Sequence, residues 1–140
     1  MVMCSGQVFL PVLFYGVIAA GGIYSALSSS ATVTELTNQL SQNPVSILVC
    51  SSDTRAVAVK AAEQCGIPQT KILELESSAD LSVRNVSSGR NCVTQEELNW
   101  SKITDPTELE NSLVCLLYSS GTTGPCKGML HCDNLRNTGL

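Results

Sequence analysis

The chain has 140 residues, of which 44% are hydrophobic and 14% charged, a balance that supports a packed core and excludes wholesale disorder. Its length suits one domain or part of a larger one. The net charge is −4 and no cluster or stripe of Lys and Arg occurs, so nucleic acid is not an expected partner.

Residues 2–4 read as the end of a strand. Residues 8–20 read as a buried helix, ended by a tight turn at Gly21-Gly22. The apolar stretch 8–27 also resembles a signal peptide or a membrane span. No basic residue precedes it, however, and Pro11, Gly16, Gly21 and Gly22 interrupt it, so no membrane span is expected. Residues 23–27 form a short apolar run with the look of a strand, and a polar link follows at 28–31.

Thr32-Val33-Thr34-Glu35 has the spacing of a capping box. The helix it opens carries Leu36 and Leu40 on one face and stops before Pro44. Residues 45–50 predict a buried strand. Residues 54–65 predict an alanine- and valine-rich helix ended by Gly66 and Pro68, and 71–75 predict another short strand. The serine-rich stretch 77–91 reads as a polar loop. It contains the sequon Asn85-Val86-Ser87, which in a chain without a secretory signal is read as chance. Thr94-Gln95-Glu96-Glu97 predicts a second capping box and a short helix to Trp100. Asp105-Pro106 breaks the chain, and 113–118 is the last predicted strand. Alternating strands and helices predict an α/β fold, a mostly parallel sheet with flanking helices.

The loop after the last predicted strand carries the chemistry. In such sheets ligands bind where loops leave the carboxyl ends of strands. Residues 118–128, Tyr-Ser-Ser-Gly-Thr-Thr-Gly-Pro-Cys-Lys-Gly, place Ser119, Ser120, Gly121, Thr122, Thr123 and Gly124 in one run before Lys127. Glycines let a backbone approach an anion, hydroxyls and N–H groups donate to it, and one mobile cation matches its charge. GxxxxGK[ST] does not fit, because Cys126 stands where its second glycine belongs and Gly128 follows the lysine. GxGxxG is absent. The seven cysteines are odd in number and scattered without a CxxC, which reads as reduced thiols. Cys126, His131 and Cys132 are too loosely spaced to be taken as a metal site.

This ordered loop resembles the signature loop of the adenylate-forming (AMP-binding) superfamily, in its acyl-CoA synthetase and coumarate–CoA ligase-like branch. Residues 9–27 and the unit beginning Thr34-Glu35-Leu36 are similar to that branch as well. The resemblance implies that residues 1–140 are a partial adenylation domain, a fragment of the large N-terminal domain ending just after the phosphate loop at 118–128. It implies activation of a carboxylic acid by Mg-ATP to an acyl-adenylate, then transfer to coenzyme A. Cofactors and partners so implied are ATP with Mg²⁺, the acid and coenzyme A. Ser119, Ser120, Gly121, Thr122, Thr123, Gly124 and Lys127 are the implied contacts to the β- and γ-phosphates. The family has proline immediately before the lysine; here Pro125 stands one place earlier and Cys126 takes its position. The family's later motifs are absent from these residues, so the chain alone is expected to be inactive. The expected compartment is cytoplasmic, with a peroxisomal address as the alternative. Two readings stay open: part of an AMP-forming acid–thiol ligase, or a non-catalytic truncated or degenerate module with weak or no phosphate binding.

Overall fold

Strands and helices alternate through the first half of the computed structural model, as the apolar pattern demands. In chain order the elements are β1 (Val2–Met3), α1 (Leu10–Ala19), β2 (Tyr24–Ala26), α2 (Val33–Gln42), β3 (Leu48–Cys50), α3 (Arg55–Gln64), a 3₁₀ turn (Gln69–Lys71), β4 (Ile72–Ser77), β5 (Leu81–Asn85), α4 (Pro106–Asn111), β6 (Leu113–Ser119) and β7 (Lys127–Cys132). The structure describes residues 1–77, 81–100, 103–119 and 127–132. The chain divides into two compact units, Met1–Pro11 with Leu27–Glu96, and Val12–Ala26 with Glu97–Leu140.

In the first unit β1 pairs parallel to β3, β3 pairs parallel to β4, and β4 pairs antiparallel to β5. Every residue of β1 and β3 is buried, as expected for parallel strands covered on both faces. Met3, Leu48, Cys50 and Ile72 from the strands pack with Leu36 and Leu40 of α2 and Ala58, Ala61 and Ala62 of α3. Each of the larger side chains contributes about 1.5–3 kcal/mol by leaving water. The alanines let α3 lie close to the sheet. The Thr37 hydroxyl donates to Gln64 Oε1 at 2.9 Å and ties α2 to α3.

The helix ends follow from local chemistry. At α2 the capping box forms in full: Glu35 Oε2 accepts from Thr32 N at 2.7 Å, and Glu35 N donates to Thr32 Oγ1 at 3.3 Å. α1 ends with Gly21 at φ 71°, Gly21 N donating to Ile18 O and Gly22 N to Val17 O. α3 ends in the same way, with Gly66 at φ 69° and Ile67 N donating to Ala62 O. Only glycine adopts this left-handed cap without strain.

In the second unit β2 pairs parallel to β6, and β6 pairs antiparallel to β7. Phe14 of α1 meets Tyr24 of β2 edge to face, with ring centroids 5.0 Å apart. No described helix is long and apolar enough to cross a membrane.

Several expectations need correction. The stretch 77–91 is not all loop, because β5 runs antiparallel beside β4 from Leu81 to Asn85. Edge groups of β4 need partners, and Leu81-Ser82-Val83 alternates as a strand does. Asn85 is held by its own turn, accepting from Ser87 N and Ser88 N and donating to Thr70 O. No helix forms at 94–100, where Glu96 N bonds Thr94 Oγ1 in a local turn and the side chains are exposed. A single helical turn whose apolar residues, here Leu98 and Trp100, stay exposed is not stable. Asp105-Pro106 starts α4 rather than only breaking the chain: Asp105 Oδ1 accepts from Thr107 N at 2.7 Å and Glu108 N at 3.1 Å, with Pro106 at the first helical position. Finally, α1 is a helix but not a buried one, since none of its residues is buried.

Candidate functional site

β6 is positioned from two sides. Its parallel partner β2 aligns Tyr24 with Cys115, Ser25 with Leu116 and Ala26 with Leu117. Its antiparallel partner β7 aligns Cys115 with His131, Leu117 with Met129, Tyr118 with Gly128, and Ser119 with Lys127. A register irregularity lies between Leu113 and Cys115, at the far end from the loop.

The sequence places the loop after a buried strand. The structure adds the strand that follows it. The stretch from Lys127 reads as loop in sequence terms, yet Lys127–Cys132 is β7. The 120–126 segment is therefore bracketed by a hairpin whose last register pair is Ser119 and Lys127. Facing residues of an antiparallel pair sit about 4.5–5.5 Å apart at Cα. Ser119 and Lys127 thus lie at the carboxyl end of β6, the end from which ligand-binding loops leave parallel strands. Of the expected contacts, the structure brings these two together. Ser120, Gly121, Thr122, Thr123 and Gly124 lie outside the described residues, as does Cys126. The apolar residues Met129, Leu130 and Cys132 were a faint signal for β7, obscured by the lysine and glycine before them.

The first unit holds a separate polar cluster that sequence reading passed over. It sits at the carboxyl ends of β1 and β3. The Ser51 hydroxyl donates to Asp53 Oδ1 at 2.5 Å, the Ser5 hydroxyl donates to the same oxygen at 3.0 Å, and Ser5 N donates to Ser51 Oγ at 3.1 Å. The Thr54 hydroxyl donates to Met3 O at 2.6 Å. The Ser51 and Ser5 hydroxyls hold the Asp53 carboxyl below the usual carboxylate range. Each donor here is answered from within the protein, so the cluster locks β1 to β3 and the start of α3. Its signal was Ser-Ser-Asp-Thr directly after a strand.

The same unit carries a cavity of about 310 Å³ lined by Arg55, Glu74, Glu76, Ser82, Arg84 and Asn85. Arg55 and Glu74 form an ion pair across it at 3.1 Å. Cancelling charges give it no preference for an anion or a cation.

Cys4, Cys50 and Cys115 are poor nucleophiles. Burial pushes the Cys50 thiol up to about 12, and burial together with the nearby Asp53 charge pushes Cys4 up to about 11. Cys115 is raised by burial as well. Thiolate, the reactive form, is therefore suppressed at neutral pH. Cys4, Cys50, Cys65, Cys92 and Cys115 are all free.

Comparison with known proteins places these features in a larger frame. A family profile described as AMP-binding enzyme matches residues 1–138. The chain is 44% identical over 133 residues to a protein of Emericella nidulans assigned by inference as an acyl-coenzyme A synthetase, a match covering 92% of this chain and 24% of that one. It is 28% identical over 120 residues to the phenylacetyl-CoA ligase epaB of Aspergillus niger, covering 84% of this chain and 22% of the ligase. Among solved structures, apo MatB from Rhodopseudomonas palustris superposes with a TM-score of 0.69 at 21% identity, covering 94% of this chain and 24% of MatB. The ATP-bound form of MatB gives 0.68 at 22% identity over the same shares. The chain spans about a quarter of the length of the curated relatives it matches.

Proposed function

The chain belongs to the AMP-binding enzyme family, and from that membership we propose that it supplies the phosphate-cradling part of an AMP-forming acid–thiol ligase. The substrates of the complete reaction are Mg-ATP, a carboxylic acid and coenzyme A. A carboxylate oxygen attacks the α-phosphorus of ATP, the bond to the β-phosphate oxygen breaks, and pyrophosphate leaves with the electron pair. The coenzyme A thiol then attacks the acyl carbonyl and releases AMP.

This chain's part is to hold the leaving group. Negative charge grows on the β-phosphate oxygens as the bond breaks. Donors already aimed there stabilise that growth without reorganising. Ser119, Ser120, Thr122 and Thr123 supply hydroxyls, Gly121 and Gly124 give the backbone close access, and Lys127 supplies the charge. The observation that carries the reading is the register pairing of Ser119 with Lys127 at the closing end of the β6–β7 hairpin. It brackets the small hydroxyl-rich segment between two strands and pairs Ser119 with Lys127 in backbone register.

Cys126, in the place where the family has proline, favours a second reading: a non-catalytic module. Proline restricts φ and stiffens the approach to the lysine. The two readings separate in a chimera in which residues 1–138 replace the matching stretch of the Emericella nidulans relative. Carboxylate-dependent ATP–pyrophosphate exchange is expected from the chimera, lost on Lys127→Ala, and absent from the isolated 140-residue chain. A folded chimera without exchange, beside an active parent, favours the non-catalytic module. Exchange by the isolated chain overturns the claim that it needs the rest of the domain.

A further inference from the structure

We propose that the cavity between α3, β4 and β5 is a binding site for a small zwitterion, a molecule that carries a carboxylate and an ammonium a few atoms apart. The proposal stands on the geometry of the first unit and is independent of the phosphate-loop reading.

β4 and β5 build one wall of the cavity. Their register sets Glu74 opposite Arg84 and Glu76 opposite Ser82. Side chains alternate along a strand, so these four stand on one face of the ladder, with Leu73, Leu75 and Val83 on the other. Arg55, at the start of α3, lines the same space of about 310 Å³, a volume at the lower end of small-molecule sites. Asn85 lines it too, and its amide is committed to Thr70 O, Ser87 N and Ser88 N, which fixes that end of β5.

The charges do not pair as the register alone would have it. Glu74 leaves Arg84, which faces it, and reaches Arg55 at 3.1 Å. Arg84 turns along its own strand and donates from Nε to the Ser82 hydroxyl at 3.0 Å. Among the described residues no carboxylate lies within ion-pair distance of Arg84, and no cation lies within that distance of Glu76. The two stand at diagonal positions of the ladder, about 7–8 Å apart. One cation and one anion therefore share a face without answering each other.

That arrangement narrows the occupant. A phosphate group meets Glu74 and Glu76 as well as the arginines. A metal ion meets Arg55 and Arg84, and among the described residues no three metal-binding side chains cluster. An apolar molecule would strip water from four charged groups. A zwitterion sets its carboxylate on the planar fork of Arg84 and its ammonium on Glu76, and it brings no net charge. The Arg55–Glu74 pair satisfies the other two charges and leaves Arg84 to the ligand.

The test titrates γ-aminobutyrate, read by ligand-observed NMR, into the 140-residue chain and into the chimera with the Emericella nidulans relative. Saturable binding is expected with a dissociation constant on the order of 1 mM, as for two charge-assisted contacts in an open site. Butyrate and butylamine, with one charge each, are expected to bind at least ~10-fold more weakly. Glu76→Gln and Arg84→Gln each weaken γ-aminobutyrate by at least ~10-fold and leave Tm unchanged. Arg84→Lys restores the charge without the fork and recovers part of the affinity. A merely structural role for these side chains would move Tm and not the ranking of the probes. Butyrate or inorganic phosphate bound as tightly as γ-aminobutyrate reveals a plain anion site and overturns the proposal. Binding that survives both substitutions overturns it, as does the absence of saturable binding by either protein up to ~100 mM. A chimera that binds the probe but shows no pyrophosphate exchange refutes the proposed activity alone.

Discussion

Ser119 and Lys127 face each other as the last register pair of an antiparallel hairpin, with residues 120–126 between them. Ser119 is the last residue of one strand and Lys127 the first of the returning strand.

That pairing predicts a selective defect. In the chimera, Lys127→Ala is expected to weaken triphosphate binding by roughly 10- to 100-fold, the scale of one charge-assisted hydrogen bond. AMP lacks the β- and γ-phosphates, so its affinity stays within about twofold. Titration with fluorescent ATP and AMP analogues reads the difference. Equal weakening of both nucleotides would place Lys127 elsewhere.

The capping box of α2 predicts a stability effect. Thr32→Ala removes the acceptor for Glu35 N and the box's Oγ1–Oε2 contact, which measures 2.9 Å. The expected cost is about 1 kcal/mol, read from urea unfolding. The Thr32 backbone and side-chain donors hold the Glu35 carboxyl below its usual value. A depressed folded pKa contributes stability at neutral pH and loses it as pH falls through the carboxylate range. Thr32→Ala keeps the Thr32 N–H bond to Glu35 and removes only the hydroxyl one, so it should flatten the acid limb of the pH–stability curve in part, whereas Glu35→Gln should flatten it fully. An unchanged acid limb would count against the box as its source.

Gln39 predicts a gain. It is 4% exposed in α2, and among the described residues neither its amide oxygen nor its amide nitrogen has a hydrogen-bond partner. A buried, unanswered amide costs about 1–3 kcal/mol. Gln39→Met keeps the length and flexibility of the side chain and removes the polar atoms. It is expected to raise stability by about 1 kcal/mol at an unchanged denaturant slope. A destabilised variant would show that the amide is satisfied in solution.

The N-terminal amine predicts a pH dependence of the same sign as that of Glu35, in a higher pH window. Met1 N donates to Ile47 O at 2.8 Å, and burial lowers the amine from 8.0 to about 6. Between those values the unfolded chain binds a proton that the folded chain does not. Stability therefore rises as pH climbs from 6 to 8 and is lost below. Acetylating the amine keeps the N–H donor and removes the titration. The acetylated chain is expected to show a flat Tm across this window, and an unaltered slope would assign the effect to another group.

Much of the first unit was legible in order and type because local chemistry and burial agree there. Thr32 and Glu35 cap a helix by their spacing alone, and Gly66 ends α3 because it alone accepts a left-handed backbone. β3 is apolar throughout because both its faces are covered. β5 was less legible, since serines mask its alternation and only the open edge of β4 recruits it. The helix expected at 94–100 failed for the converse reason: its capping signal is sound, but its apolar residues, Leu98 and Trp100, are left exposed.

The sequence by itself determined the α/β alternation, the helix caps and the position of the hydroxyl-rich segment at the end of a strand, because these depend on residues within a few places of one another. Only the tertiary structure decided that Lys127 returns as a strand opposite Ser119, that β5 closes the edge of β4, and that α1 turns an uncharged stripe to solvent. Those outcomes depend on which backbone edges and apolar faces meet across the fold, and pairing between distant strands leaves only a faint mark on local composition.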